Sequence, residues 1–200
     1  MSDLILYTNP MSRGQIVKWL LEELEVPYTE IILDYGTTMK GAEYLAINPM
    51  GKVPAIKHGD NIVTETAAIC MYLADAFSDK GLSPQTLAEK ARFYRWMMFS
   101  AGVVEQAVGI SLLGIKPDAK QQMTLGCGNF ETVLDVLARA VVEHEYILGD
   151  RFTVADVYVG SQIAFYMQFG YLPERPEFIE YTNKLINRPA HIKVRGSIAK

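Results

Sequence analysis

The segment Ser78-Asp79-Lys80-Gly81-Leu82-Ser83-Pro84 divides this chain into two unlike parts. Strand and helix patterns alternate before it, and only helical patterns follow it. A polar stretch bearing glycine and proline suits neither element, so it reads as a linker. A chain of 200 residues can supply two small domains, each with its own core. The patterns predict an α/β domain over 1–78, a linker over 79–85 and an all-helical domain over 86–200.

Within the first part, Leu4-Ile5-Leu6-Tyr7 is expected to be a short buried strand. Asn9-Pro10 breaks it, and Ser12 stands where a helix N-cap would. Over 13–25, Ile16, Val17, Leu20, Leu21 and Leu24 share one helical face, with Glu22, Glu23 and Glu25 mainly off it. Val26-Pro27 ends that helix, and Tyr28 to Leu33 follows as a second strand, which makes a βαβ unit. A short helix is predicted over 41–47. Ala55 to Lys57 and Asn61 to Val63 flank His58-Gly59-Asp60, a hairpin signal, and a helix is expected from Glu65 to Phe77. In the second part, helical patterns run at about 85–113, 118–146, 154–168 and 176–187. The third of these opens on Phe152-Thr153-Val154-Ala155-Asp156-Val157. Thr153 is placed as its N-cap, Asp156 as the N3 partner of a capping box, and Phe152 against Val157 as a hydrophobic staple.

The most informative motif lies between Asn48 and Thr66. Pro54 precedes a short apolar run and cannot donate to a sheet ladder, so it marks a turn or an edge. A cis Val53-Pro54 bond would make a tight turn that can leave the Val53 N–H and C=O unpaired. Those two groups can bind an extended peptide as an added strand would. Thr66, at a helix N-terminus, offers a hydroxyl and an N–H where the helix dipole favours a carboxylate. Together they describe a pocket for a small anionic peptide.

NPMGKVPAI, the Glu65-Thr66 pair, the capping box and the two-part plan resemble the cytosolic glutathione transferases along essentially the whole chain. The resemblance implies an N-terminal thioredoxin-like domain followed by an all-helical C-terminal domain. It also implies a homodimer that activates glutathione as co-substrate, with no other cofactor, and joins its thiolate to a small hydrophobic electrophile. Val53 would pair its backbone with the cysteinyl part of glutathione, beside cis Pro54. Glu65 would meet the γ-glutamyl amine and Thr66 the γ-glutamyl carboxylate. Lys52 would meet the glycyl carboxylate, with Lys40 as a second cation. The thiol donor would be Ser12 or Tyr7. The five residues between Tyr7 and Arg13-Gly14 favour Ser12, as in serine-type bacterial members, with Asn9 and the Arg13 N–H as secondary candidates. The second substrate would sit between the loop around Met11 and the helix at 85–113. No cysteine lies at 9–14, which speaks against the glutaredoxin-like branch.

Singly, each of these residues has a plain structural role: an N-cap, a turn, a helix start, a solvated lysine. Their joint spacing carries the functional reading. The bulky run from Arg92 to Phe99 is read first as core, and otherwise as an electrophile pocket or a dimer seam. Gly126-Cys127-Gly128 lacks a preceding strand and is given no function. His58, His144 and His191 lack metal-ligand spacing. A net charge of −4 without a basic cluster argues against nucleic acid and anionic membrane as partners. The apolar runs are too short to span a bilayer. Met1-Ser2-Asp3 leads straight into a strand, so no signal peptide is expected, and two cysteines, Cys70 and Cys127, fit a reducing, cytoplasmic setting. Cys70 is placed in a core. Two alternatives to a transferase are a non-catalytic binding or scaffold protein of the same fold, and a glutathione-dependent peroxidase using the same site.

Overall fold

The computed structural model describes residues 3–195. They fall into two compact units. One comprises the described residues up to Ser83 together with those from Asn187 on, and the other runs Pro84–Ile186.

The first unit is built on a four-stranded sheet. Its elements are β1 (Leu4–Thr8), α1 (Gly14–Leu24), β2 (Thr29–Ile32), a 3-10 turn (Thr38–Lys40), α2 (Ala42–Leu45), β3 (Ala55–His58), β4 (Asn61–Thr64) and α3 (Thr66–Ala76). The strand order is β2-β1-β3-β4. β1 pairs parallel with β2, and β1–β3 and β3–β4 pair antiparallel. This is the thioredoxin-like arrangement. Strand alternation sends Leu4, Leu6 and Thr8 of β1 into a fully buried layer. α1 covers the sheet with Ile16, Val17, Leu20, Leu21 and Leu24, spaced as one helical face. Each such side chain stabilises the fold by roughly 1.5–3 kcal/mol through burial. Tyr7 and Ile31 belong to a second cluster, with Leu33, Met39, Tyr44 and Ala55.

The chain adds to this unit at its far end through α10 (Pro189–Arg195), which packs on α1. Arg188 donates to both carboxylate oxygens of Glu23, at 2.7 and 2.8 Å, and the His191 ring meets Trp19 edge-on. No sequence pattern predicted this helix.

The second unit contains α4 (Leu87–Met98), α5 (Glu105–Leu112), α6 (Ala119–Thr124), α7 (Phe130–Glu143), α8 (Val154–Gln168) and α9 (Pro176–Ile186). Among its described residues there is no strand. The run expected over 85–113 is α4 and α5 joined by a wide π turn, Phe99–Val104. The run expected over 118–146 is two helices instead of one. Gly128 adopts φ +61 in the gap, and Asn129 caps α7 by accepting the Thr132 N–H at 2.9 Å. The helical periodicity continued across the gap, so spacing alone could not reveal the break. The capping box of α8 is present. Asp156 Oδ2 accepts from the Thr153 N–H at 2.8 Å, and Thr153 Oγ1 accepts from the Ala155 N–H at 3.3 Å.

Candidate functional site

The sheet register brings three strand ends together. Tyr7 of β1 lies opposite Ala55 of β3, and Ala55 lies opposite Thr64 of β4. The loop after β1, the turn before β3 and the segment after β4 therefore meet at one edge of the first unit. The N-termini of α1 and α3 open there.

The loop after β1 is tied down by Asn9, which is buried. Its Nδ2 donates to the Leu33 carbonyl at 2.8 Å, and its Oδ1 accepts from the Met11 N–H at 2.9 Å. Its amide thus fixes the loop to the end of β2. Ser12, partly buried, lies one position earlier than its expected cap role. The N-cap residue of α1 is Arg13, and Ser12 Oγ accepts from the Gly14 N–H at 3.0 Å. The Ser12 hydroxyl donates to the Asn9 carbonyl at 2.7 Å and receives a long contact from the Asn9 N–H at 3.4 Å. Arg13 and Met11 are exposed, Met11 at 79%. Tyr35 donates its hydroxyl to the Met11 carbonyl at 3.2 Å. Tyr7 lies half-buried with its ring centroid 5.6 Å from that of Tyr44.

The turn before β3 is held by Tyr44, which the sequence did not single out, together with Asn48 and Lys40. Tyr44 and Asn48 both donate to the Lys52 carbonyl, at 2.5 and 2.8 Å. Burial pushes the Tyr44 phenol up to about 12, which keeps the proton it donates. Asn48-Pro49 read as a helix stop, and nothing in the spacing showed that its amide would reach four residues ahead. Lys40 Nζ donates to the carbonyls of Met50 and Gly51, at 3.1 and 2.8 Å. Gly51 adopts φ +56, and a Cβ there would stand 2.8 Å from Lys40 Nζ and 2.9 Å from the Met39 carbonyl oxygen. Only glycine fits both constraints. The Lys52 side chain is exposed.

The Val53-Pro54 bond is cis. β3 begins at Ala55, so Val53 lies outside the ladder, and no hydrogen bond among the described residues engages its N–H or C=O. Across the hairpin, Glu65 adopts φ +67 and ψ 119, a region that L residues rarely occupy. Such a conformation costs about 1–3 kcal/mol and persists only where the surrounding structure imposes it. Thr66 is the first residue of α3, and no side chain caps that helix. Its N–H is one of the orphan donors of a helix start, and neither its hydroxyl nor the Glu65 carboxylate has a partner among the described residues. The edge therefore presents a backbone N–H and C=O, a carboxylate, a hydroxyl and a helix N-terminus, none of them engaged among the described residues. That set matches a zwitterionic peptide: carboxylate to the helix start, amine to Glu65, and an extended amide to Val53.

Among the described residues, no group of His, Cys, Asp and Glu could hold a metal ion, and no helix is long and apolar enough to cross a membrane. Cys70 is fully buried on α3, and burial pushes its thiol up.

Comparison with known proteins converges on this architecture. Residues 2–75 match the family model described as glutathione S-transferase, N-terminal domain. Glutathione S-transferase A of Pleuronectes platessa is 30% identical over 160 residues, covering 76% of this chain and 71% of that protein. Elongation factor 1-gamma 1 of Oryza sativa subsp. japonica is 30% identical over 82% of this chain, which spans 41% of that longer protein. The glutathione transferase URE2P6 of Phanerochaete chrysosporium, solved in complex with oxidized glutathione, has a TM-score of 0.76 at 29% identity. That similarity covers 96% of this chain and 94% of the other.

Proposed function

Because the chain belongs to the glutathione S-transferase family, we propose that it binds glutathione at the edge just described and transfers its thiol to a small hydrophobic electrophile. The observation that carries this reading is the unengaged set formed by Val53, Glu65 and Thr66 at one sheet edge. In this reading the cysteinyl amide of glutathione pairs with Val53 as an added strand. The γ-glutamyl carboxylate takes the Thr66 hydroxyl and N–H, and the amine takes Glu65. The glycyl carboxylate lies towards Lys52 and Lys40, with the Lys40 ammonium also anchoring the turn.

The activating donor is Ser12, as in serine-type bacterial members. A free thiol titrates near ~8.5, so little thiolate exists at neutral pH without help. The Ser12 hydroxyl, the Arg13 N–H and the start of α1 supply partial positive charge where the sulfur would sit, and the thiol proton leaves to solvent. Asn9 holds the loop that presents them. The thiolate then attacks the electrophile, forming a carbon–sulfur bond while the electrophile's electron pair leaves or is protonated. Tyr7, whose ring packs against Tyr44, is the second choice of donor. A cytoplasmic homodimer acting in detoxification completes the reading.

The similarity to elongation factor 1-gamma 1 supports a second reading, a binding module of the same fold without turnover. Titration calorimetry of glutathione against the full chain and its Thr66→Ala variant tests the site. Binding that Thr66→Ala weakens by ~1–3 kcal/mol, the cost of losing a hydrogen bond to a charged group, supports it. No binding at millimolar glutathione ends the transferase reading. Binding without conjugation or peroxide reduction over a panel of electrophiles favours the second.

A further inference from the structure

Thr8 closes β1 on its buried face, the face of Leu4 and Leu6, and is 0% exposed. Among the described residues its hydroxyl has no hydrogen-bond partner. A buried hydroxyl without a partner is costly, and an isosteric apolar residue would avoid that cost. Its surroundings give it a reason. α1 starts directly against it, so closely that a Cβ on Gly14 would stand 1.8 Å from Thr8 Oγ1. The same Cβ would stand 3.0 Å from Ser12 Oγ. The two hydroxyls thus flank a single point, kept open by the missing side chain of Gly14, with no hydrogen bond between them.

Ser12 is engaged in a way that resists its use as a donor. Its one proton is committed to the Asn9 carbonyl at 2.7 Å. That carbonyl also accepts the Ser12 N–H at 3.1 Å, so it stays satisfied if the hydroxyl turns away. Its oxygen accepts the Gly14 N–H at 3.0 Å but only a long contact from the Asn9 N–H at 3.4 Å, so its second lone pair is weakly held and open to a stronger donor.

We propose that Thr8 is a positioning residue for the Ser12 hydroxyl, donating its own O–H to Ser12 Oγ when the Ser12 proton turns from Asn9 to a bound thiolate. Without the thiolate the Thr8 hydroxyl waits unpaired, and with it a donor chain forms from Thr8 through Ser12 to sulfur. Each link strengthens the next, because a hydroxyl that accepts a hydrogen bond becomes a better donor. Stability is thereby given up in the free protein for a stronger donor in the complex, the usual direction of such exchanges. This inference rests on the assignment of Ser12 as the thiol donor.

The test follows the ultraviolet thiolate band of bound glutathione against pH in the full chain. Wild type, Thr8→Val, Thr8→Ser, Ser12→Ala and the double variant Thr8→Val/Ser12→Ala are compared, with glutathione affinity and denaturant midpoints measured alongside. Thr8→Val is expected to fold and to bind glutathione as wild type does, with the bound-thiol pKa raised by about one unit. That shift leaves about tenfold less thiolate at a fixed pH below both values. Thr8→Ser restores it. In the Ser12→Ala background, Thr8→Val adds nothing. A wild-type bound-thiol pKa in Thr8→Val overturns the proposal, as does a full additional shift in the double variant, which would mean that Thr8 acts independently of Ser12. If Ser12→Ala itself leaves the bound thiol unchanged, the Ser12 assignment falls and this inference falls with it. If Thr8→Val does not fold, Thr8→Ser decides: loss of the activated thiol in that variant, which keeps the hydroxyl, overturns the proposal.

Discussion

Ser12 Oγ and the Asn9 carbonyl oxygen stand 2.7 Å apart, and the proton between them is the one the proposed chemistry needs. The bond is local, spanning three residues, and it leaves the serine oxygen fixed by the Gly14 N–H at 3.0 Å. For the hydroxyl to serve a ligand, the O–H must turn and its close approach to the Asn9 oxygen must relax. The serine oxygen is otherwise held near its place by the Gly14 N–H, which limits the reorganisation needed when charge develops on sulfur.

Replacing that hydroxyl separates the two candidate donors. Ser12→Ala should lower kcat/KM by about a hundredfold or more, the usual loss for one preorganised donor to a developing anion. Tyr7→Phe should change it far less, since the Tyr7 ring is committed to packing with Tyr44. Steady-state kinetics with a chromogenic electrophile measures both, and the reverse ranking would move the assignment to Tyr7.

Glu89 should give acid sensitivity to the second unit. It sits in the first turn of α4, where its carboxylate accepts the Gln85 N–H at 2.5 Å and pairs with Arg151 at 3.0 Å. The Gln85 hydrogen bond foremost, with Arg151 assisting, holds its pKa below the usual carboxylate value. A depressed folded-state pKa adds stability above the unfolded value, which is lost as pH falls through the folded one. Denaturant midpoints of wild type and Glu89→Gln should therefore differ at neutral pH and converge in acid. A gap that persists or widens in acid would contradict this.

The two-part plan and the Val53-Pro54/Glu65-Thr66 pair were legible because they depend on local chemistry. Proline cannot donate to a ladder, and a strand cannot be written in helical spacing. Gly14 and Gly51 mattered through space instead: each leaves room for a side chain that is distant in sequence or across a turn. The same is true of Tyr44 and Asn48, whose target is a backbone carbonyl with no sequence signal. α10 was invisible because it is seven residues long and draws its partners, Glu22 and Trp19, from α1. The split between α6 and α7 was hidden because apolar periodicity resumed after Gly128 as though uninterrupted.

Asp156 is a large single liability in the helical unit. It is fully buried and accepts from the Ile147 N–H at 2.8 Å, the Thr153 N–H at 2.8 Å, the Thr153 hydroxyl at 3.1 Å and the Tyr181 hydroxyl at 2.7 Å. Burial pushes its pKa up, while those four donors pull it back. Asp156→Ala strands all four donors and should cost about 3–5 kcal/mol, as the loss of a buried hydrogen-bonded charge does. Chemical denaturation measures it. A loss under about 1 kcal/mol would mean that the donors find other partners.

Glu65 couples stability to binding. Its φ of +67 is a conformation glycine adopts freely, so Glu65→Gly removes strain of about 1 kcal/mol or more. Glycine also adds entropy to the unfolded chain, which offsets part of that gain. The net change in stability should be small and favourable, because no hydrogen bond among the described residues is lost with the side chain. Binding should move the other way. If the carboxylate meets the γ-glutamyl amine of glutathione, its loss removes a charge-assisted hydrogen bond and weakens binding by about 1.5–3 kcal/mol. Glu65→Gln keeps the shape and the strain but not the charge, so it should lose affinity without gaining stability. Denaturation and calorimetry on the two variants separate the roles. Unchanged glutathione affinity in both would show that the strained turn serves α3 alone.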